Sequence, residues 1–141
     1  MSVFHANEFL ANLPDALKDK TINMFTLTDE GPSEFSVVVS RDRYKNDDLD
    51  AYIERQVAAL LPRMPLFKVT KRERIVIDKQ PALLIDCTWQ SPQGKLFQRQ
   101  VAIYFKPTSH MLLITGSCKD PIKPRWEALF NEFLANFRLR S

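Results

Sequence analysis

Glycine is scarce in this 141-residue chain: Gly31, Gly94 and Gly116 are all it has. A phosphate cradle needs a run of glycines to bring backbone amides around an anion, so three isolated ones argue against a nucleotide loop. Histidine is scarcer still. His5 and His110 sit far apart, in no metal-ligand or triad spacing, and read as surface or strand-end residues. The two cysteines, Cys87 and Cys118, fall in apolar strand-like segments and read as buried free thiols rather than a disulfide or a metal site. A long hydrophobic run is missing too, with nothing near the roughly 18 apolar residues of a membrane span. The opening "MSVFHANEFL" has no basic n-region, apolar h-region or cleavage site. Nor is there an excess of one charge: a net charge of +3 is too small to imply nucleic acid without a focused patch. These absences lead us to expect a cytoplasmic protein that does not insert into a membrane, with no metal, no cofactor and no catalytic constellation.

What is present is apolar. Hydrophobic residues make up 45% of the chain, ten of them Phe, which excludes a disordered protein. At this length one domain over 1–141 is expected, burying roughly 68–70% of its unfolded surface. Val3 to Leu13 is a weak, irregular strand candidate ending at Pro14. The segment 21–27, the breaker-rich turn "DEGPSE" and the segment 35–41 form a hairpin signature. The period then changes. Leu49, Tyr52, Ile53, Gln56, Val57, Leu60 and Leu61 recur at helical spacing, which predicts a helix over 47–61, capped by Asn46 or Asp47 and stopped by Pro62 and Pro65. Strands follow at 67–78, 81–90, 95–106 and 110–118, a meander turning at "DKQ", "SPQG" and "KPTS". The last segment, 122–137, places Trp126, Leu129, Phe130, Phe133, Leu134 and Phe137 on one helical stripe that packs on the sheet. The acidic pairs Asp29–Glu30 and Asp47–Asp48 are explained by turn and cap chemistry, and "KRER" at 71–74 reads as an exposed edge guarded by charge.

The stretch "LFQRQVAIYF" (96–105) is less ordinary. A two-residue period sets Phe97, Arg99, Val101, Ile103 and Phe105 on one face and Leu96, Gln98, Gln100, Ala102 and Tyr104 on the other. The second face is too apolar for water and too polar for an ordinary interior. The hairpin repeats the mixture. Odd positions Phe25, Leu27, Phe35, Val37 and Val39 form an apolar row suited to the core, while even positions are Ile22, Met24, Thr26, Ser36, Val38 and Ser40. With Met24 opposite Val38, the even residues of both strands share one face. Gln56 adds an amide to the apolar seam of the first helix. Two readings stay open: satisfied, half-buried amides in a large core, or a groove for an apolar peptide that also has hydrogen bonds to make. Transmembrane helices are such peptides, apolar all round with small and hydroxylated residues at their packing faces.

The ordered segments "DKTINMFTL", "FSVVVSRD", "DLDAYIERQVAALLPRMPLFKV", "QPALLIDCTWQSPQGKLFQRQVAIY" and "FLANFRLR" resemble the DcrB-like proteins, specifically the Eag (effector-associated) chaperones of bacterial type VI secretion. The resemblance runs from Val3 to Arg140, with "YIERQ" and "FQRQ" its most specific parts. It implies an α+β fold, a twisted antiparallel sheet with two helices of the Mog1/PsbP-like kind. It also implies a homodimer and a chaperone that shields the N-terminal transmembrane segments of a PAAR- or Rhs-containing effector before export. The contact residues carried over by position are Ile22, Met24, Ser36, Ser40, Gln56, Gln98 and Gln100. Met24 stands where a branched aliphatic is usual, and its flexible thioether suits varied partners. The lipidation signal of the family's periplasmic branch is missing here. The alternatives are a Mog1-like module binding a folded soluble partner and, more remotely, a small hydrolase using the groove.

Overall fold

The computed structural model describes every residue except Met1, Ala6, Asn7, Asp19, Lys45, Asp47 and Ser141, and the backbone alone of Ser2, Phe4 and His5. The chain opens with two short strands, β1 (Ser2–His5) and β2 (Leu10–Leu13), paired antiparallel as a separate two-stranded sheet. Val3 to Leu13 is thus a hairpin and not one irregular strand; a two-residue period alone does not reveal a reversal of direction. The main sheet has six antiparallel strands: β3 (Asn23–Thr26), β4 (Phe35–Arg43), β5 (Lys68–Ile77), β6 (Gln80–Ser91), β7 (Gly94–Phe105) and β8 (His110–Lys119). Their order is β3-β4-β8-β7-β6-β5, so the last four strands form the expected meander. With α1 (Leu49–Leu60) and α2 (Pro124–Ala135) this is the α+β architecture expected from the sequence.

Local chemistry sets the connections. Asp78 and Lys79 both adopt positive φ, 48° and 66°, and close the β5–β6 hairpin between paired Ile77 and Gln80, a backbone twist that matches the flanking strands. "KPTS" holds a short 3-10 turn, Lys106–Thr108. Asp48 caps α1, its carboxylate accepting from the Ala51 amide at 3.0 Å. The expected cap was Asn46 or Asp47. Asn46 instead accepts from the Asp48 amide at 2.9 Å and stands two residues ahead of the cap, while Asp47 lies outside the described residues.

The helices cover opposite faces of the sheet. On one face Phe35, Val37, Leu84, Val101, Ile103 and Ile114 pack with Phe130 of α2, and Trp126, Phe133, Leu134 and Phe137 close over them. Gly116 makes this possible: a Cβ there would stand 2.8 Å from Phe130 Cδ1, so the ring lies directly against the β8 backbone. Within this apolar face sits Arg99, only 6% exposed, held by Asp86 at 2.7 and 2.9 Å and by Glu127 of α2 at 2.9 Å. The Asp86 hydrogen bonds hold its guanidinium pKa above the ordinary value despite burial. On the other face Leu49, Tyr52 and Ile53 of α1 pack on Leu83, Ile85, Ala102 and Met111.

The hairpin's odd row is only partly core. Phe35, Val37 and Val39 are buried, but Phe25 is 50% and Leu27 42% exposed at the outer edge of the sheet, where Phe133 of α2 stands 5.7 Å from the Phe25 ring. The two cysteines are free and buried on opposite faces, Cys87 facing the α1 side and Cys118 the α2 side. Edge strand β5 carries the charged "KRER" segment in the open, as expected. Its arginines are also engaged: Arg72 binds Glu54 at 2.5 Å and Asp50 at 2.7 Å, and Arg74 also pairs with Asp50, which fastens α1 along that edge.

Candidate functional site

The α1 face of the sheet is longer than α1 covers. Register builds what lies beside the helix from straight cross-strand rows. Thr26, Ser36, Ser117, Gln98 and Cys87 follow one another from β3 to β6, and the next row is Met24, Val38, Thr115, Gln100 and Ile85. A third row begins with Ser40 and Leu113 and runs under α1 at Ala102 and Leu83. Met24 stands opposite Val38, the pairing assumed from the sequence. The pleat thus sets small hydroxyls, amides and aliphatic groups side by side, with α1 along one margin and β3 at the other.

Polar groups on this surface bind one another. Gln98 Nε2 donates to Ser117 Oγ at 3.3 Å, and Gln100 Nε2 donates to Gln98 Oε1 at 3.4 Å. Gln100 Oε1 and Trp89 Nε1 are buried with no hydrogen-bond partner among the described residues. Around them the medium is apolar. Burial pushes the Cys87 thiol up to about 12, and the Asp86 carboxylate adds to that shift.

Of the residues named from sequence, Met24, Ser36, Ser40 and Gln98 share this open part of the face, with Ser36, Ser40 and Gln98 half-buried and Met24 65% exposed. Ile22 is exposed just ahead of β3. Two of the seven differ from expectation. Gln100 is only 4% exposed, its amide turned toward Gln98 Oε1 and the buried Cys87 thiol; it lies beneath the surface, not on it. Gln56 is not an amide among hydrocarbons: it is half-buried and donates to the Asp42 carboxylate of β4 at 3.4 Å. Arg55 binds the same carboxylate at 3.0 Å, so Asp42 tethers α1 to the groove strand. Thr115, Ser117 and Leu113 complete the surface and went unnamed. The alternation "LITGS" repeats the hydroxyl-and-aliphatic mixture, but only the register of β8 between β4 and β7 shows that its odd residues share the groove face.

Among the described residues no group of three or more His, Cys, Asp or Glu side chains could hold a metal ion, and no helix is long and apolar enough to cross a membrane.

A six-stranded antiparallel sheet with a helix on each face and a mixed polar and apolar surface beside one helix places the chain in a known class. Residues 10–136 match the DcrB family, and the chain belongs to it. It is 34% identical over 131 residues to Effector EagT6 of Pseudomonas aeruginosa, covering 90% of this chain and 91% of that protein. The fold is also similar to the crystal structure of PA94, a Pseudomonas aeruginosa protein of unknown function, with a TM-score of 0.78, 32% identity, and coverage of 100% of this chain and 98% of that one.

Proposed function

We propose that this protein is a cytoplasmic type VI secretion chaperone. As a homodimer, it holds the N-terminal transmembrane segments of a PAAR- or Rhs-type effector before export. Membership of the DcrB family and the likeness to EagT6 support the chaperone class. The observation that carries the ligand is the surface left open beside α1, where the Ser36–Ser117–Gln98 and Val38–Thr115–Gln100 rows alternate hydroxyls and amides with aliphatic groups. A transmembrane helix removed from lipid must bury its apolar side chains and pair its occasional Ser, Thr or Asn. An all-hydrocarbon groove would leave each such group unpaired, at about 1–3 kcal/mol. Ser36, Ser40 and Gln98 provide the partners, Gln100 backs Gln98 from beneath the surface, Gln56 is held at the α1 margin by Asp42, and Ile22 and Met24 provide exposed apolar surface at the rim. A folded soluble partner would be better served by free surface charge, yet Arg72 and Arg74 are taken up by Asp50 and Glu54.

Co-expression with the transmembrane-segment region of an effector, followed by detergent-free purification, tests this reading. The expected result is a soluble complex, lost in Met24→Asp and Ser40→Arg, which set an unpaired charge against an apolar helix. Asn131→Asp, a charge on the exposed side of α2 across the sheet, should bind normally. Capture by the two groove variants together with loss in the Asn131 variant would place the binding surface elsewhere.

A further inference from the structure

A hollow on the α2 face plays no part in the groove. It holds about 500 Å³ between the C-terminal half of α2 and strands β3 and β4, within the size range of ligand pockets. Phe25, Phe35, Phe133 and Phe137 line it together with Leu27 and Leu129. Phe133 is the hinge of the aromatic wall, 5.7 Å from the Phe25 ring and 6.0 Å from the Phe137 ring. Phe25, Leu27 and Leu129 stay exposed, so the hollow is open to solvent. Its polar groups have one character. Glu132 and Asn136 stand one helical turn apart in the wall, and the Glu132 carboxylate has no hydrogen bond or ion pair among the described residues. Asn136 Nδ2 donates to the Glu132 carbonyl at 3.0 Å, which leaves its Oδ1 as a second free acceptor. Arg138 also lines the hollow but is already engaged: its guanidinium donates to the Ala135 and Phe137 carbonyls at 2.8 and 2.9 Å and stands 3.9 Å from Asp78. Aromatic faces beside free acceptors suit an apolar body that carries a positive charge, because ring faces and carboxylates both attract cations.

Hollow and groove share a strand. Met24 faces the groove and Phe25 the hollow, and β3 is the outermost strand, so its edge alone separates the two. A chain leaving the groove past β3 has about 10 Å to cover to the other face, roughly three or four extended residues. The ends of transmembrane segments carry the matching chemistry there, Trp and Tyr at the membrane boundary with Lys and Arg beyond. We infer that the hollow receives the aromatic and basic side chains flanking a transmembrane segment held in the groove, so that one polypeptide straddles β3. The occupant rests on the groove reading; the preference for an apolar cation does not. The consequence is direction, since the anchored flank fixes which end of the segment lies at β3.

The first measurement needs no effector. The peptide acetyl-Ala-Trp-Lys-Ala-amide, at millimolar concentration, should shift the amide resonances of residues 25–27 and 129–138 saturably, whereas acetyl-Ala-Trp-Glu-Ala-amide should not. Glu132→Lys, at an exposed position, should weaken the basic peptide on the order of tenfold. No saturable shift at these residues, or equal shifts from both peptides, would overturn the inference. The second measurement is detergent-free co-purification with the transmembrane region of a type VI effector, in its own sequence and with the flanking Lys and Arg replaced by Glu. The parent should hold the native flanks on the order of tenfold more tightly, and Glu132→Lys should remove that preference. Capture indifferent to both changes overturns the inference and leaves the groove standing. A parent that binds the basic tetrapeptide in the hollow yet captures neither effector region refutes the groove, and with it the occupant inferred here.

Discussion

Gln100 places its amide nitrogen 3.4 Å from Oε1 of Gln98, two residues away on the same strand, and leaves its own Oε1 buried and unpartnered among the described residues. A buried acceptor without a donor costs about 1–3 kcal/mol. Gln100→Leu removes that cost and loses two weak bonds, to Gln98 Oε1 at 3.4 Å and to Cys87 Sγ at 4.0 Å, so the empty protein should be as stable as the parent or more stable by about 1 kcal/mol. Capture of an effector segment should fall, because the amide chain from Ser117 through Gln98 is left without its inner member. Urea unfolding and the detergent-free pull-down read the two effects separately. Destabilisation by more than about 2 kcal/mol would mean that Gln100 is an ordinary satisfied core amide.

On the opposite face, Phe130 is fully buried against Gly116. Phe130→Ala should cost about 3–5 kcal/mol, as large aromatic truncations do. Gly116→Val drives a side chain into the same ring and should cost about 1–3 kcal/mol by overpacking. Because both changes empty or fill the same contact, Gly116→Val in the Phe130→Ala background should cost less than in the parent. Additive losses in a double-mutant cycle would dissociate the glycine from the ring.

Periodicity made most of the fold legible. The helices and the four meander strands announce themselves because Leu49–Tyr52–Ile53 and Trp126–Phe130–Phe133 repeat near 3.6 while Phe97–Val101–Ile103 repeats at 2. Long-range placement was not legible. Nothing local says that α1 and α2 cover opposite faces, that α2 leaves Phe25 and Leu27 half-exposed at the β3 edge of the sheet, or that Ser117 aligns with Gln98. The site was legible as a type of surface rather than as a set of positions. Gln98 and Ser36 are where the pleat puts them, but Gln56 found a carboxylate on β4 that no helical spacing could foretell. Arg99 stood out in an apolar row, and its partners Asp86 and Glu127 come from a neighbouring strand and a helix far along the chain.

Asp50 gives the α1 attachment a pH dependence. Its hydrogen bond from Arg72, helped by the field of Arg74, holds its carboxyl below the ordinary 3.8. A carboxyl depressed in the folded state contributes stability that is present above its unfolded value and is lost as pH falls through the folded one. The thermal midpoint of the parent should therefore exceed that of Asp50→Asn near pH 6–7, and the gap should close between about pH 4 and 2. A gap that stayed constant through that window would show that the side chain acts by shape alone. The same geometry rules out charge reversal at Arg72 as a neutral surface change, since it would set a third carboxylate beside Asp50 and Glu54.

The Arg99–Asp86 pair is the most deeply buried charge in the described structure, with both side chains under a tenth exposed and Glu127 closing it from α2. Its geometry is bidentate, which offsets desolvation, but an ion pair this far from water is weak evidence of net stabilisation. What it does provide is a fixed seat for α2, since an apolar stripe alone could slide along an apolar sheet. Asp86→Leu should cost about 3–5 kcal/mol, because it leaves the guanidinium buried against only the half-exposed Glu127. Asp86→Leu with Arg99→Met removes both charges and should recover most of that loss, to within about 1–2 kcal/mol of the parent. Denaturant unfolding of the three proteins measures the recovery, and a double variant no better than the single one would make the pair indispensable to folding. The groove lies on the other side of the sheet, so effector capture by the double variant should match the parent once folding is restored. Lost capture in a fully folded double variant would mean that the seating of α2 is felt through the strands at Gln98 and Gln100.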